Sequence, residues 1–386
     1  MNNIVVFSKR ILIAGICMLL LQACSSTNSE DNLPTPKIVA GTAKVAGKVV
    51  GFQREKGKNL PDLLLFLPHP VTAEIAYYQT ALKEDGSFSF EVPVEISPVF
   101  GSIKSEILKS ESYSDGVCFV ALAANETTQL EIIKKDSVTK VNMPNSLGLT
   151  SDDVVNLVEV ASELAYQVTY SGDEKIKPED YSIRIINRID EIMKTVVDNN
   201  SKLSNRAKQL LSINYKLFFQ YMDLFHYTRK MYYAFLDNPE NKGKSEADFI
   251  PTTEPNRSYY SFLKHCNLNN PLYLYAYDYY TILDAILSND TLNIQPIKDI
   301  PIKDWLVEVK NTMADLVGSS TGLFYDMLAA NAYAKQMKDE NRPLSDKQKE
   351  NISNYFKNPS FAKILFSESD KIIQRAENQK QFSCNH

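Results

Sequence analysis

The side chains from which a chemical site would be built are four histidines, five cysteines, 47 acidic residues and an unusual store of 21 tyrosines. Metal chemistry needs histidines or cysteines at ligand spacing. Here no H-x-x-x-H, H-E-x-x-H or C-x-x-C occurs. His69 sits between Pro68 and Pro70 in an expected loop, His226 falls in a long expected helix, and His386 is the last residue. His265 and Cys266 would supply a base and a nucleophile, but adjacent residues point to different sides of a helix or strand, which keeps ring and thiol apart. The nearest approach to a serine-hydrolase elbow is Gly318-Ser319-Ser320-Thr321-Gly322. Between Val317 and Leu323 it reads as a break between two helices, with glycine closing one and a hydroxyl residue opening the next. No glycine-rich phosphate cradle is present, and the sequence does not say which two carboxylates would face each other across a cleft. No catalytic residue, metal or cofactor is therefore assigned.

The tyrosines are concentrated. Tyr273, Tyr275, Tyr277, Tyr279 and Tyr280 fall within eight residues. Read as a helix, this stretch puts Leu272, Tyr275, Tyr279, Ile282 and Ile286 on one face and leaves Tyr273, Tyr277 and Tyr280 on another. Those three are the candidate ligand platform, since exposed tyrosine rings stack on sugars or peptides. The competing reading is structural, because tyrosine suits a position with a buried ring and a wet hydroxyl.

Two regimes of periodicity must position these residues. From 37 to 145 apolar residues alternate. Ser87-Phe88-Ser89-Phe90-Glu91-Val92 is the clearest case, preceded by the turn pair Asp85-Gly86, with Pro93 marking an edge strand or bulge. Further strands are expected at Val45–Phe52, Leu63–Leu67, Ala76–Leu82, Val117–Ala123 and Gln129–Lys134, with a turn at Asn125-Glu126. This spacing predicts an antiparallel β-sandwich. From 150 to 380 the period is helical, with helices expected at 151–165, 178–198, 205–236, 271–287, 302–317, 322–338, 345–356 and 360–378. The fold class is thus α+β multidomain: a β-sandwich followed by an all-α array, with 381–386 a tail. A hydrophobic fraction of 44% in 386 residues supplies ample core, and a formal charge of −5 argues against a nucleic-acid partner.

The N-terminus is an address. Lys9 and Arg10 precede the apolar run Ile11–Leu21, which is too short to span a bilayer and has the form of a signal peptide over residues 1–23. Leu21-Gln22-Ala23-Cys24 resembles the lipobox of bacterial lipoproteins, with Gln22 where a small residue is usual. The resemblance implies cleavage before Cys24, acylation of that cysteine and anchoring in a membrane. Ser25 in place of Asp points to the outer membrane, facing either the periplasm or the cell surface. Residues 24–36 are polar and contain Pro34 and Pro36, as a tether requires. Cleavage removes Lys9 and Arg10 and makes the charge of −5 two units more negative. It leaves Cys118, Cys266 and Cys384, among which one disulfide is allowed and none is required.

The G-x-V first strand followed by D-G-x-F-x-F resembles the transthyretin-like, carboxypeptidase-regulatory sandwiches, which implies a spacer or accessory module. Lipobox, sandwich and helices together resemble the N-terminal, non-catalytic part of exported thioredoxin-like thiol-disulfide oxidoreductase lipoproteins. The stretch Gly322-Leu323-Phe324-Tyr325-Asp326-Met327-Leu328, through Ala332-Tyr333-Ala334-Lys335-Gln336 to Pro343-Leu344-Ser345-Asp346-Lys347-Gln348, is similar to their last helical segment. In that family a domain with W-C-x-x-C follows; these 386 residues contain no such pair, so redox activity is not carried over. The expectation is a membrane-anchored binding or accessory module, either stand-alone or a truncated oxidoreductase. Its partners would be an envelope protein, a peptide or a glycan. The rival expectation is an enzyme with an acidic or tyrosine site in the helical half.

Overall fold

A computed structural model describes residues 31–383 apart from 55–58, 110–115, 136–137, 144–146, 168, 170–171 and 251–254. Eight strands come first: β1 (Lys37–Val50), β2 (Asp62–His69), β3 (Glu74–Ala81), β4 (Ser87–Ser97), β5 (Val99–Lys104), β6 (Val117–Leu122), β7 (Thr127–Lys135) and β8 (Val138–Asn142). They form two four-stranded sheets in the orders β4-β1-β7-β8 and β3-β2-β5-β6. Phe88, Phe90, Val92, Val94 and Ile96 alternate into the core from β4, and Leu63, Leu65 and Leu67 do so from β2.

The strand pattern departs from the sequence reading in three ways. The sheets are not wholly antiparallel, because β1 runs parallel to β7. Asp85-Gly86 does make a tight turn, with Gly86 at φ +79° donating to the Lys83 carbonyl. It joins strands of opposite sheets, however, rather than a hairpin. His69 is not in a loop but is the buried last residue of β2. Pro93 lies on β4, an edge strand, where a missing N–H breaks no ladder bond on the open side.

The helices are α1 (Ser151–Ala165), α2 (Pro178–Ile192), α3 (Asn205–Phe219), α4 (Tyr227–Asp237), α5 (Leu263–Cys266), α6 (Tyr279–Leu287), α7 (Ile302–Val317), α8 (Leu323–Glu340), α9 (Asp346–Tyr355) and α10 (Pro359–Ser383). Local chemistry sets several ends. Thr150 and Asp153 form a reciprocal capping box at α1, and Ser345 and Gln348 do so at α9. Gly318 closes α7 in the left-handed region at φ +72°.

Three long helices of the sequence reading are interrupted. Residues 178–198 are α-helical only to Ile192, and Met193–Asp198 continue as π-helix. Residues 205–236 pass through a π-helical turn at Gln220–Leu224 and resume only at Tyr227, without a Gly or Pro to announce it. Residues 271–287 are not one helix either: Pro271–Tyr275 is 3₁₀, Ala276 is extended, and the α-helix starts at Tyr279.

The change from strand to helix falls between Asn142 and Ser151, near the expected boundary, but the core runs through it. The second sheet continues into the helices through α1 on β6, and α10 packs against β1. Polar side chains stitch the seam: Asn331 of α8 donates to the Pro70 carbonyl at 2.7 Å, and Asn358 donates to the Ile38 carbonyl at 2.9 Å.

Gly101 on β5 sits where the neighbouring strand leaves no room for a side chain. A Cβ there would overlap Leu67 Cδ2 and stand 2.5 Å from the Phe66 carbonyl oxygen. Gly101→Ala is expected to lower stability by about 1–3 kcal/mol through overpacking, read as a fall in the urea unfolding midpoint at unchanged slope.

Candidate functional site

The strongest candidate site is an apolar cavity of about 310 Å³ between the second sheet and the first helices. Its floor is the sheet. Phe100 of β5 lies opposite Ala121 and Phe119 of β6 opposite Ser102, so the two phenylalanines are diagonal neighbours on one face. Their rings stack at 5.0 Å with 30° between planes. One wall is α1, where Leu157, Ala161 and Ala165 recur every four residues on a single stripe. The other wall is α3, which contributes Leu211, Asn214, Tyr215 and Phe218. The Tyr215 hydroxyl donates to the Ala161 carbonyl at 2.7 Å and ties the two walls together.

The fourth side is the break before α6, where Tyr277 and Asp278 line the cavity. Asn214 Oδ1 accepts the Tyr277 N–H at 3.3 Å, while its amide donates to the Leu210 carbonyl at 2.9 Å. The Tyr277 hydroxyl reaches the Phe66 carbonyl at 3.5 Å. The turn is thus held from both α3 and β2, and these tertiary contacts override the helical periodicity of the tyrosine run.

Asp278 is the N-cap residue of α6, yet its side chain makes no capping bond. Aspartate is among the preferred N-caps because its carboxylate accepts the free amides of the first turn. Here it lines the cavity instead, and among the described residues no hydrogen bond or ion pair engages it. Burial pushes its carboxyl up to about 6. Burial, then the Asp278 charge, pushes the Tyr215 hydroxyl up to about 12.

The tyrosines of the proposed platform do not share an exposed face. Tyr273 is buried, with its ring 5.9 Å from Tyr279. Tyr277 lines the cavity, and Tyr280 is half-buried on α6. Cys118 and Cys266 are free and fully buried, and burial pushes both thiols up to about 12, away from thiolate chemistry. His265 adjoins Cys266, whose thiol faces the Phe262 carbonyl at 3.8 Å. Gly318–Gly322 separates α7 from α8, with the Ser319 hydroxyl donating to the Thr321 carbonyl. Cys24, Cys384 and His386 lie outside the described residues.

A second, polar cluster sits where α10 meets the sheets. The buried Glu95 carboxylate accepts the Val71 N–H at 2.6 Å, the Thr72 N–H at 3.2 Å and the Thr72 hydroxyl at 2.6 Å. His69 Nδ1 stands 3.6 Å from Glu74 and 3.9 Å from Glu95. Burial lowers the imidazole, but Glu74 and Glu95 outweigh it and the net direction is up. Glu95 and His69 Nδ1 are engaged within the cluster, which ties strand ends together, while the buried His69 Nε2 has no hydrogen-bond partner among the described residues.

Comparison of the chain with known protein families, with curated proteins and with solved structures finds no match. The site therefore rests on its own geometry. Among the described residues no three His, Cys, Asp or Glu side chains stand together as a metal site would require, and no helix is long and apolar enough to cross a membrane. The sequence reading passed over Asp278 because it ran a helix through the tyrosine run. One signal was there: an Asp immediately before the apolar run Tyr279–Leu287 has the form of a helix start.

An aspartate held near 6 when folded and at 3.8 when unfolded takes up a proton on folding between those values. Its contribution to stability is therefore lost as pH rises through that window. Asp278→Asn lacks this loss and is expected to be more stable than the parent above about pH 7 by about 1–3 kcal/mol. The gain should vanish below about pH 4, and melting temperatures across this range check it.

Proposed function

We propose that this chain is a bacterial envelope lipoprotein, tethered to the outer membrane through acylated Cys24, that works as a non-catalytic binding module. Its binding site is the cavity between β5–β6, α1 and α3. That cavity is the observation that carries the reading: about 310 Å³ of apolar space, at the small end of ligand pockets (roughly 300–1,000 Å³), lined by carbon with one converging carboxylate. Apolar walls around unfilled space forgo dispersion contacts that a ligand restores.

The anchoring half of the proposal is supported by the sequence alone: Lys9 and Arg10, the run Ile11–Leu21, Cys24, and the polar stretch up to Pro36. In the same reading the two sheets are a sandwich of the transthyretin-like, carboxypeptidase-regulatory type. The whole then corresponds to the accessory portion of exported thioredoxin-like oxidoreductases. The order of elements, two small sheets followed by helices, supports this assignment. A platform of stacked tyrosines for glycans has less support, since Tyr273 is buried.

Two experiments test the halves separately. Expressed in a bacterial host, the wild-type chain is expected in the membrane fraction with incorporated labelled palmitate. Cys24→Ala should lose both label and membrane retention; unchanged fractionation would refute the anchor. For the site, a neutral apolar dye such as N-phenyl-1-naphthylamine is expected to bind the purified protein at one site. Ala161→Phe, which places a ring in the cavity, should weaken it about tenfold, as the loss of a few buried carbon contacts implies. Dye binding indifferent to that substitution would exclude the cavity as the site.

A further inference from the structure

Among the described residues five aromatic rings line the cavity, those of Phe100, Phe119, Tyr215, Phe218 and Tyr277, and Asp278 supplies the one charged group. The face of an aromatic ring attracts a cation, the more so when both are out of water. A carboxylate in an apolar wall does the same and is poorly screened by salt. Among the described residues no Lys, Arg or His lines the cavity. The side chain that would ordinarily be consumed by capping α6 is left without a partner among the described residues. Among the described residues the site thus presents aromatic surface and one negative charge, with no basic side chain in its lining.

We propose, resting on the reading of this cavity as a binding site, that its occupant is a small organic cation. An alkyl- or arylammonium group would sit against the Asp278 carboxylate, and its apolar body would fill the space between Phe100, Phe119 and Phe218. A neutral hydrocarbon would cover the carboxylate without pairing it, at a desolvation cost. An anion would be repelled. A sugar would need several polar partners, and Asn214 already spends its oxygen on Tyr277 and an amide hydrogen on Leu210. The titratable groups facing Asp278 are Tyr215 from α3, Tyr277 from the same turn and Tyr280 from α6. Burial pushes all three hydroxyls upward, so they stay neutral over the working range. Charge in the cavity therefore changes with pH only at Asp278.

A quaternary ammonium probe isolates that group because the probe does not titrate. Benzyltrimethylammonium and its neutral isostere neopentylbenzene are titrated into the purified full chain by calorimetry or by displacement of the apolar dye. At about pH 8 the cation is expected to bind wild type about tenfold more tightly than Asp278→Asn, as loss of one partly buried charge–charge attraction implies. As pH falls to about 5, below the Asp278 value of about 6, wild-type affinity should drop toward that of the variant, which should itself be insensitive to pH. Equal binding of the cation to wild type and Asp278→Asn, or tighter binding of the neutral isostere, overturns the inference. If the dye still binds and Ala161→Phe still weakens it, the binding-module reading survives that failure; if neither dye nor cation binds, both fall. Circular dichroism and urea unfolding of Asp278→Asn confirm that the variant is folded.

Discussion

The second sheet cannot stand in water by itself, because both of its faces are apolar. Val120 and Ile103 point into the space between the sheets, while Phe100 and Phe119 point the other way. A strand residue's neighbour necessarily faces the opposite side, so a sheet with large apolar groups at both parities must be covered twice. The first sheet covers one face. The helical half covers the other, with α1 lying on β6 and the Tyr277 turn meeting β2. Hence the change of periodicity near residue 145 does not separate two independent cores. It separates two kinds of element that share one, and the cavity is where the helical cover fails to fill the space over Phe100 and Phe119.

The cover is held in place by few, specific bonds. Tyr275 donates to the Pro34 carbonyl at 2.8 Å, Asn331 to Pro70, and Asn358 to Ile38, each linking the helical half to a strand or a segment next to one. Such a bond contributes only about 1 kcal/mol net, but leaving a buried carbonyl unpaired costs more. Their function is chiefly to fix register. Apolar packing alone would tolerate sliding of helices over a flat phenylalanine surface, whereas side-chain amides bonded to particular carbonyls select one arrangement.

What was legible in the sequence follows from where the signal is local. Ser87–Val92 alternates, and β4 is there; Asp85-Gly86 demands a left-handed glycine, and Gly86 has one. A helix was expected at 302–317 with glycine closing it, and the helix has those limits, Pro301 preceding it and Gly318 ending it. The strand β5 was missed because Val99–Lys104 contains Gly101 and is short. The breaks at Gln220–Leu224 and Ala276–Asp278 left little local signal, the helix-start form of Asp278 apart, for a different reason. No Gly or Pro stands there, and the interruption coincides with partners far away in sequence, such as Thr169 at the Asp223 carboxylate or Asn214 at the Tyr277 amide. The cavity depends on the second of these breaks, so a reading by periodicity could find its walls without finding the site. Asp278 appeared only as one polar residue in a tyrosine run, and the tyrosines themselves drew attention away from it.

Asp278 pays no evident structural role back to the fold. It forgoes a capping bond, which would stabilise α6 by about 1 kcal/mol, and accepts burial that disfavours its own charge. Asn270, a few residues earlier, shows the ordinary arrangement, since its side chain accepts the Leu272 amide and starts the 3₁₀ turn. An asparagine or serine at 278 would avoid the desolvation of a carboxylate. Residues that break a local rule at a cost to stability concentrate where a protein meets something else. The wall opposite supports the same conclusion by contrast: Tyr215 also borders the cavity, yet its hydroxyl is fully engaged with the Ala161 carbonyl and turned to structural use. Of the polar groups around this space, the carboxylate is the one whose chemistry the described fold does not consume.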